Sequence, residues 1–244
     1  MKMPVSQNET TERILDAAER LFMEHGYDGA SMRMLTSAAN VNLAAINYHF
    51  GSKEGLMQAV FKRRLAWLNS ERLRILDGLE AKADGQPLRP SQILEAFFGT
   101  LLEMGDREEL GGMTFLRLIG RTLTEPAHFI REFFAGEYQE VVERYKSALY
   151  RALPEVPQDE IAWRFQFMLG SMSYSIAGTD ALRILGGIKL DDGNDAAYAR
   201  RLRERLMPFL LGGLRAPMPE FEAADLSSGA ASRKKSSAQP AGRA

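Results

Sequence analysis

The sequence predicts an all-α protein, with a small three-helix unit at the N-terminus followed by a larger helical domain. Three observations carry this. Apolar residues recur at helical spacing along most of the chain. Proline is absent between Pro4 and Pro87. No run of alternating apolar and polar residues is bounded by turn residues as a strand would be. Breaks rich in glycine, proline or carboxylates fall at Leu79–Pro90, Leu153–Pro157 and Gly186–Asp195. These divide the chain into an N-terminal unit (1–52), a helical domain (53–214) and a tail (215–244). From Ala216 onward the residues are mostly Ala, Ser, Pro, Gly and Lys/Arg, too apolar-poor to offset ordering entropy, so the tail is expected to be disordered.

The first helix is predicted from Asn8 or Thr10 to His25. Ile14, Ala18, Leu21 and Phe22 share one face, while Arg13, Glu19, Arg20 and Glu24 form the polar side. Gly26 supplies a left-handed cap. Ser31 caps a short second helix with Leu35, Ala38 and Ala39 facing inward, and Asn40 tolerates the left-handed turn that ends it. Asn42 caps a third helix, in which Ile46 and Phe50 share a face and Gly51 is the stop. Two short helices joined by a tight turn follow the helix-turn-helix plan, whose second helix enters the DNA major groove.

The outward side of the third helix carries no carboxylate to repel phosphate. Asn47 has the paired donor and acceptor that read adenine, and the methyls of Ala44 and Ala45 suit thymine. Tyr48, His49 and Lys53 suit phosphate oxygens, Lys53 from the first turn of a helix capped by Ser52. Arg33 can reach a guanine or a phosphate. With Ser31, Asn42 and Leu43 these residues form the candidate DNA-binding set. A helical bundle that never meets DNA would leave Tyr48 and His49 as ordinary surface residues. The coincidence of turn, caps and carboxylate-free face argues against it.

The larger domain is expected to begin with a helix from Lys53 to about Leu68, followed by a longer one to Leu79. Ser91 is the expected cap of the next, which carries Phe97, Phe98, Leu101 and Leu102. Further helices are expected over Gly111–Leu123, Ile130–Leu153, Gln158–Leu185 and Asp195–Leu214. Gly170 and Gly178 interrupt the Gln158–Leu185 helix, and close approach of a partner helix is one reason to keep glycine there. Phe97, Phe98, Met104, Met113, Phe115, Phe134, Met168 and Met172 are candidates to line an apolar ligand cavity. Arg117 and Arg121, four apart, are candidates to hold an anionic group at its mouth. The same residues also fit a Met-rich core with the two arginines paired to Glu103 or Glu125.

Other functions are poorly supplied. With no cysteine there is no disulfide, thiolate metal site or cysteine nucleophile. No phosphate loop, G-x-S-x-G or H-E-x-x-H pattern occurs, so no catalytic residue, metal or cofactor is expected. The Asp191–Asp195 cluster lacks calcium-loop spacing and reads as a solvated turn. No apolar stretch is long enough for a membrane span, and Ser6–Thr11 is too polar for a signal sequence, so the cytoplasm is expected. A net charge of −1 decides little, because phosphate binding needs only a local basic face.

The run Thr11–Phe22, Gly26-Tyr27, Ser31–Ala39, Val41 and above all Tyr48–Leu56 (YHFGSKEGL) resembles the N-terminal domain of TetR/AcrR-type regulators. It departs from the usual family pattern at Asn40, where glycine is common, and at Asn42, where serine or threonine is frequent. The resemblance implies a repressor that binds a palindromic double-stranded DNA operator as a homodimer. It also implies that the remaining chain is a ligand-binding and dimerisation domain whose last two long helices form a four-helix interface. The Leu116–Ala177 and Asn42–Ser52 stretches resemble the fatty-acid-responsive, PsrA-like branch, which implies a fatty acid or acyl-CoA effector.

Overall fold

The computed structural model describes residues 7–124, 128–178 and 195–218. Among them every regular element is helical. The first, α1 (Gln7–Gly29), buries Ile14, Ala18 and Phe22 and is kinked at Gly26, whose φ of 70° is open to glycine at little cost. Then come α2 (Met32–Ala39), α3 (Leu43–Phe50) and α4 (Lys53–Ala83). The expected break near Leu68 is absent and α4 runs unbroken, because no proline or glycine pair intervenes and Leu65, Leu68 and Leu76 stay on one buried stripe.

The next helix starts one residue before the predicted cap. Pro90 takes the first position of α5 (Pro90–Leu94), where its missing N–H is not needed, and the Gln92 side chain accepts from the Arg89 backbone N–H at 3.1 Å. A π-helical turn over Glu95–Gly99 continues into α6 (Thr100–Glu103). Two short 3₁₀ turns, Met104–Asp106 and Glu108–Leu110, lead to α7 (Gly112–Thr124). The remaining described helices are α8 (His128–Ala152), α9 (Gln158–Ile176) and α10 (Asp195–Leu214).

The sequence-predicted helix over Gln158–Leu185 is shorter in the structure. It stops at Ile176 and turns at Gly178, φ 71°, so Gly178 is a turn residue rather than a helix-contact glycine. The solvated turn expected over 191–194 and the tail beyond Met218, including Arg233-Lys234-Lys235, lie outside the described residues.

Packing centres on α7, which lies against α9 and α1, while α4 lies against α1 and α8. Gly120 permits the α7–α9 approach: a Cβ there would sit 2.6 Å from the Ala177 backbone nitrogen and 2.8 Å from the Ser173 carbonyl. Arg164, buried on α9, pairs with Glu160 at 2.7 Å and donates at 2.7 Å to the Leu214 carbonyl, tying α9 to the C-terminal end of α10.

Three inward or outward assignments change. Glu19, expected on the polar side of α1, is 4% exposed, because Arg63 and Arg64 of α4 meet it there. Ala38 is exposed while Ala39 is buried. Phe209, which helical spacing groups with Leu202, Leu206 and Leu210 on one side of α10, points outward at 65% exposure while Leu206 and Leu210 are buried.

Candidate nucleic-acid interface

The helix-turn-helix is built by caps that satisfy the backbone at each junction. Ser31 accepts from the Met34 N–H at 3.2 Å, Asn42 Oδ1 from the Ala45 N–H at 2.8 Å, and Ser52 from the Gly55 N–H at 3.1 Å. Asn40 adopts the left-handed region (φ 50°, ψ 53°), and the Val41 N–H donates to the Thr36 carbonyl at 3.0 Å, closing α2. Arg13 of α1 completes the turn by donating to the carbonyls of Ala39 (2.7 Å) and Asn40 (3.0 Å). Gly55 fits because its Cα abuts the Phe50 carbonyl, where a Cβ would lie 2.2 Å from the oxygen.

This scaffold anchors α3 through the fully buried Ile46 and leaves the opposite side open. Leu43 is 49% and Tyr48 75% exposed, and Asn42, Ala44 and Asn47 are exposed with them, whereas Ala45 is half-buried. Ser31 and Arg33, at the start of α2, are exposed as well. Since Ser31 Oγ and Asn42 Oδ1 accept caps, their hydroxyl proton and amide nitrogen are what they retain for a phosphate.

Two predicted phosphate ligands are already engaged. His49 is half-buried, with Nδ1 3.3 Å from the Thr11 hydroxyl of α1 and its ring edge-on to Tyr48. Lys53 lies 4.5 Å from the centre of the Tyr27 ring, with Nζ 3.5 Å from the Asp28 carbonyl. Burial, with Glu54 and Asp28 nearby, pushes the Tyr27 hydroxyl above its ordinary pKa, so the phenol stays neutral. Lys53 therefore stands at the α4 N-terminus on an uncharged aromatic shelf.

Comparison with known proteins decides what scaffold this is. The sequence model described as "Bacterial regulatory proteins, tetR family" matches residues 14–60, and that of the "Tetracyclin repressor-like, C-terminal domain" matches residues 95–213. An uncharacterized HTH-type transcriptional regulator in the dhlA 5' region of Xanthobacter autotrophicus is 30% identical over 159 residues, covering 65% of this chain and 68% of that protein. The chain belongs to the TetR family of transcriptional regulators.

Other HTH-type relatives match over shorter stretches. The repressor AcnR of Corynebacterium glutamicum is 44% identical over 55 residues, 22% of this chain and 29% of AcnR. The chain thus spans less than a third of that relative's length. Among solved structures, the TetR-family regulator PfmR from Thermus thermophilus aligns with a TM-score of 0.56 at 19% identity, over 85% of this chain and all of PfmR. KstR2 of Mycobacterium tuberculosis aligns with a TM-score of 0.56 at 16% identity, over 87% and 98%. Both agree with the all-α TetR fold. The family consists of transcriptional regulators rather than enzymes, and among the described residues no helix is long and apolar enough to cross a membrane.

The candidate effector residues of this TetR-family chain divide. Phe97, Phe98, Met104, Met113, Phe115, Met168 and Met172 are all buried, and Phe134 packs at the edge of the same cluster. Phe134 also lines a cavity of about 490 Å³ between α7 and α8 with Leu123, Tyr138 and Val142. The two arginines do not converge on one anion. Arg121 donates to the Met23 carbonyl of α1, whereas Arg117 runs beside Gly178 past the end of α9. A cation that the sequence reading passes over lies deeper: Arg72 of α4, 2% exposed.

Proposed function

We propose that this TetR-family protein is a repressor acting in the cytoplasm, which binds a palindromic double-stranded DNA operator as a homodimer and is released by a small apolar or acyl ligand. The observation that carries the reading is the open face of α3, where Leu43, Asn47 and Tyr48 project from a helix capped at both ends, beside Arg33 and Lys53. On that reading Asn47, Ala44 and Ala45 meet base edges, and Ser31, Arg33, Asn42, Tyr48, His49 and Lys53 meet the backbone. The working division is a DNA-binding unit over 1–52, an effector and dimer domain over 53–214, and a tail over 215–244.

A two-fold partner has a surface to meet. Trp163 (60% exposed), Phe167 (65%) and Tyr174 (50%) recur on one face of α9 at helical spacing, and Phe209 (65%) is likewise exposed on α10. Gly170 falls between Phe167 and Tyr174 with open space where a Cβ would be, which lets a partner helix approach closely. Large exposed aromatics in one patch mark association surfaces. Effector release would act through α7, which packs on both α9 and α1 and is tied to α1 by Arg121. Binding energy that favours one arrangement of α7 then changes the spacing of two recognition helices.

Selection of bound fragments from randomised DNA tests the operator, and sedimentation of the free protein tests the assembly. The expected site is an inverted repeat with half-sites about 34 Å apart or a multiple of it. The expected mass is twice the 27.3 kDa chain, and it should fall to one chain in the double variant Trp163→Glu, Phe167→Glu. A monomer, or a selected site without two-fold symmetry, contradicts the reading.

A further inference from the structure

Arg72 lies on α4, 2% exposed, without a carboxylate partner among the described residues. Its Nε donates to the Phe97 carbonyl at 2.9 Å, and its guanidinium carbon stands 3.9 Å from the Phe97 ring centre and 5.9 Å from that of Tyr138. Tyr145 donates to the Arg72 carbonyl at 2.8 Å, so its hydroxyl turns to the backbone rather than to the charge. The Nη1 group has no hydrogen-bond partner among the described residues. One turn earlier on α4, Asn69 donates to the Glu137 carbonyl at 2.8 Å and leaves its buried Oδ1 unpartnered.

A buried cation is tolerated when an anion and hydrogen bonds replace water, and stacking on Phe97 supplies only part of that. Burial pulls the Arg72 pKa below its ordinary value, and neighbouring Tyr138, with Tyr145, acts against it. The same two tyrosines line adjoining cavities. Tyr138 lines the α7–α8 cavity of about 490 Å³, Tyr145 a smaller one of about 170 Å³ between α8 and α9, and Val142 belongs to both walls. Most of this surface is aromatic or aliphatic.

We propose that Arg72 is the receptor for the carboxylate of an apolar organic acid, which enters from the α7–α8 cavity past Tyr138 and places its oxygens on Nη1. One cation with one orphan donor balances a single negative charge, which favours a carboxylate over a dianionic phosphate. Asn69 Oδ1 accepts from a hydroxyl of the ligand or from a water carried with it. The apolar body rests among Phe134, Tyr138 and Val142. The proposal deepens the reading of the chain as effector-controlled, and names the chemical class of the effector.

Calorimetric titration of the full chain without DNA tests it with three probes: dodecanoate, 2-naphthoate, and dodecanol as the neutral counterpart of the first. At least one carboxylate binds, and dodecanol binds about 10- to 100-fold more weakly than dodecanoate if the acid is aliphatic. Binding of 2-naphthoate alone assigns the site to aromatic acids. In Arg72→Met the carboxylate affinity falls by a similar factor, and the melting temperature does not fall, because an uncompensated buried charge has been removed. Failure of both carboxylates to bind, equal affinity for dodecanol and dodecanoate, or unchanged carboxylate affinity in Arg72→Met overturns the proposal. The wild-type comparison stands even if the variant does not fold. Operator release is measured separately: a carboxylate bound through Arg72 that leaves the DNA complex intact refutes effector control and keeps the site. Release by dodecanol in wild type and Arg72→Met alike refutes the site and keeps effector control.

Discussion

Replacing Glu19 by alanine perturbs the junction where α1, α4 and the Glu108–Leu110 turn meet. The Glu19 carboxylate is 5% exposed, and its Oε2 accepts from Arg63 at 2.5 Å and from Arg64 at 3.0 and 3.1 Å. Gly111 is required beside it, since a Cβ there would lie 2.4 Å from Oε1. After the substitution Arg63 keeps Asp16 at 2.8 Å and Glu12 at 3.0 Å, and Arg64 keeps the Glu109 carbonyl at 2.9 Å. Breaking a buried ion pair outright costs about 3–5 kcal/mol. Because both cations retain a partner, we expect a loss of about 2–4 kcal/mol. For a domain of this size that lowers the melting temperature by about 4–16 °C. Thermal unfolding followed by circular dichroism reads the change, with the exposed Glu24→Ala as control. The difference should persist at high salt, because a buried pair is screened little. A Glu19→Ala melting temperature within about 2 °C of wild type would refute the reasoning.

Four further substitutions probe the packing and the turn. Gly120→Ala should cost about 1–3 kcal/mol in urea unfolding, because the new methyl meets the Ser173 and Ala177 backbone, which cannot swing aside, as well as the buried Ile176 side chain. Arg13→Ala should lower both stability and DNA affinity, since the Ala39 and Asn40 carbonyls lose a charged donor worth about 1.5–3 kcal/mol. Asn40→Gly should leave stability nearly unchanged, whereas Asn40→Val should cost about 1–2 kcal/mol at φ 50°, measured in the same unfolding series.

The helix-turn-helix is legible in the sequence because its signals are local. Ser31, Asn42 and Ser52 cap helices that begin at the next residue, and the backbone reverses at Gly26, Asn40 and Gly51. The larger domain is less legible because its decisive contacts are long-range. Nothing near Glu19 reveals partners 44 and 45 residues away, and the Arg121 contact to Met23 spans 98. Apolar periodicity also cannot tell a core face from a face kept for a second chain. Spacing alone groups Trp163 and Phe167 with Met168 and Met172 as apolar residues of one helix, yet the first two lie on the outside of α9 while the other two are buried. Arg72 did leave a signal: Leu65, Leu68, Arg72 and Leu76 follow one helical stripe, and a charge inside such a stripe must find a buried partner.

The most direct test of the account is an anisotropy titration of the selected operator at two salt concentrations, comparing wild type with Tyr48→Ala and Lys53→Ala. Each variant should bind more weakly, and Lys53→Ala should reduce the salt slope by about one counterion. Unchanged affinity and slope in both variants would contradict the placement of the DNA face on α3 and the start of α4.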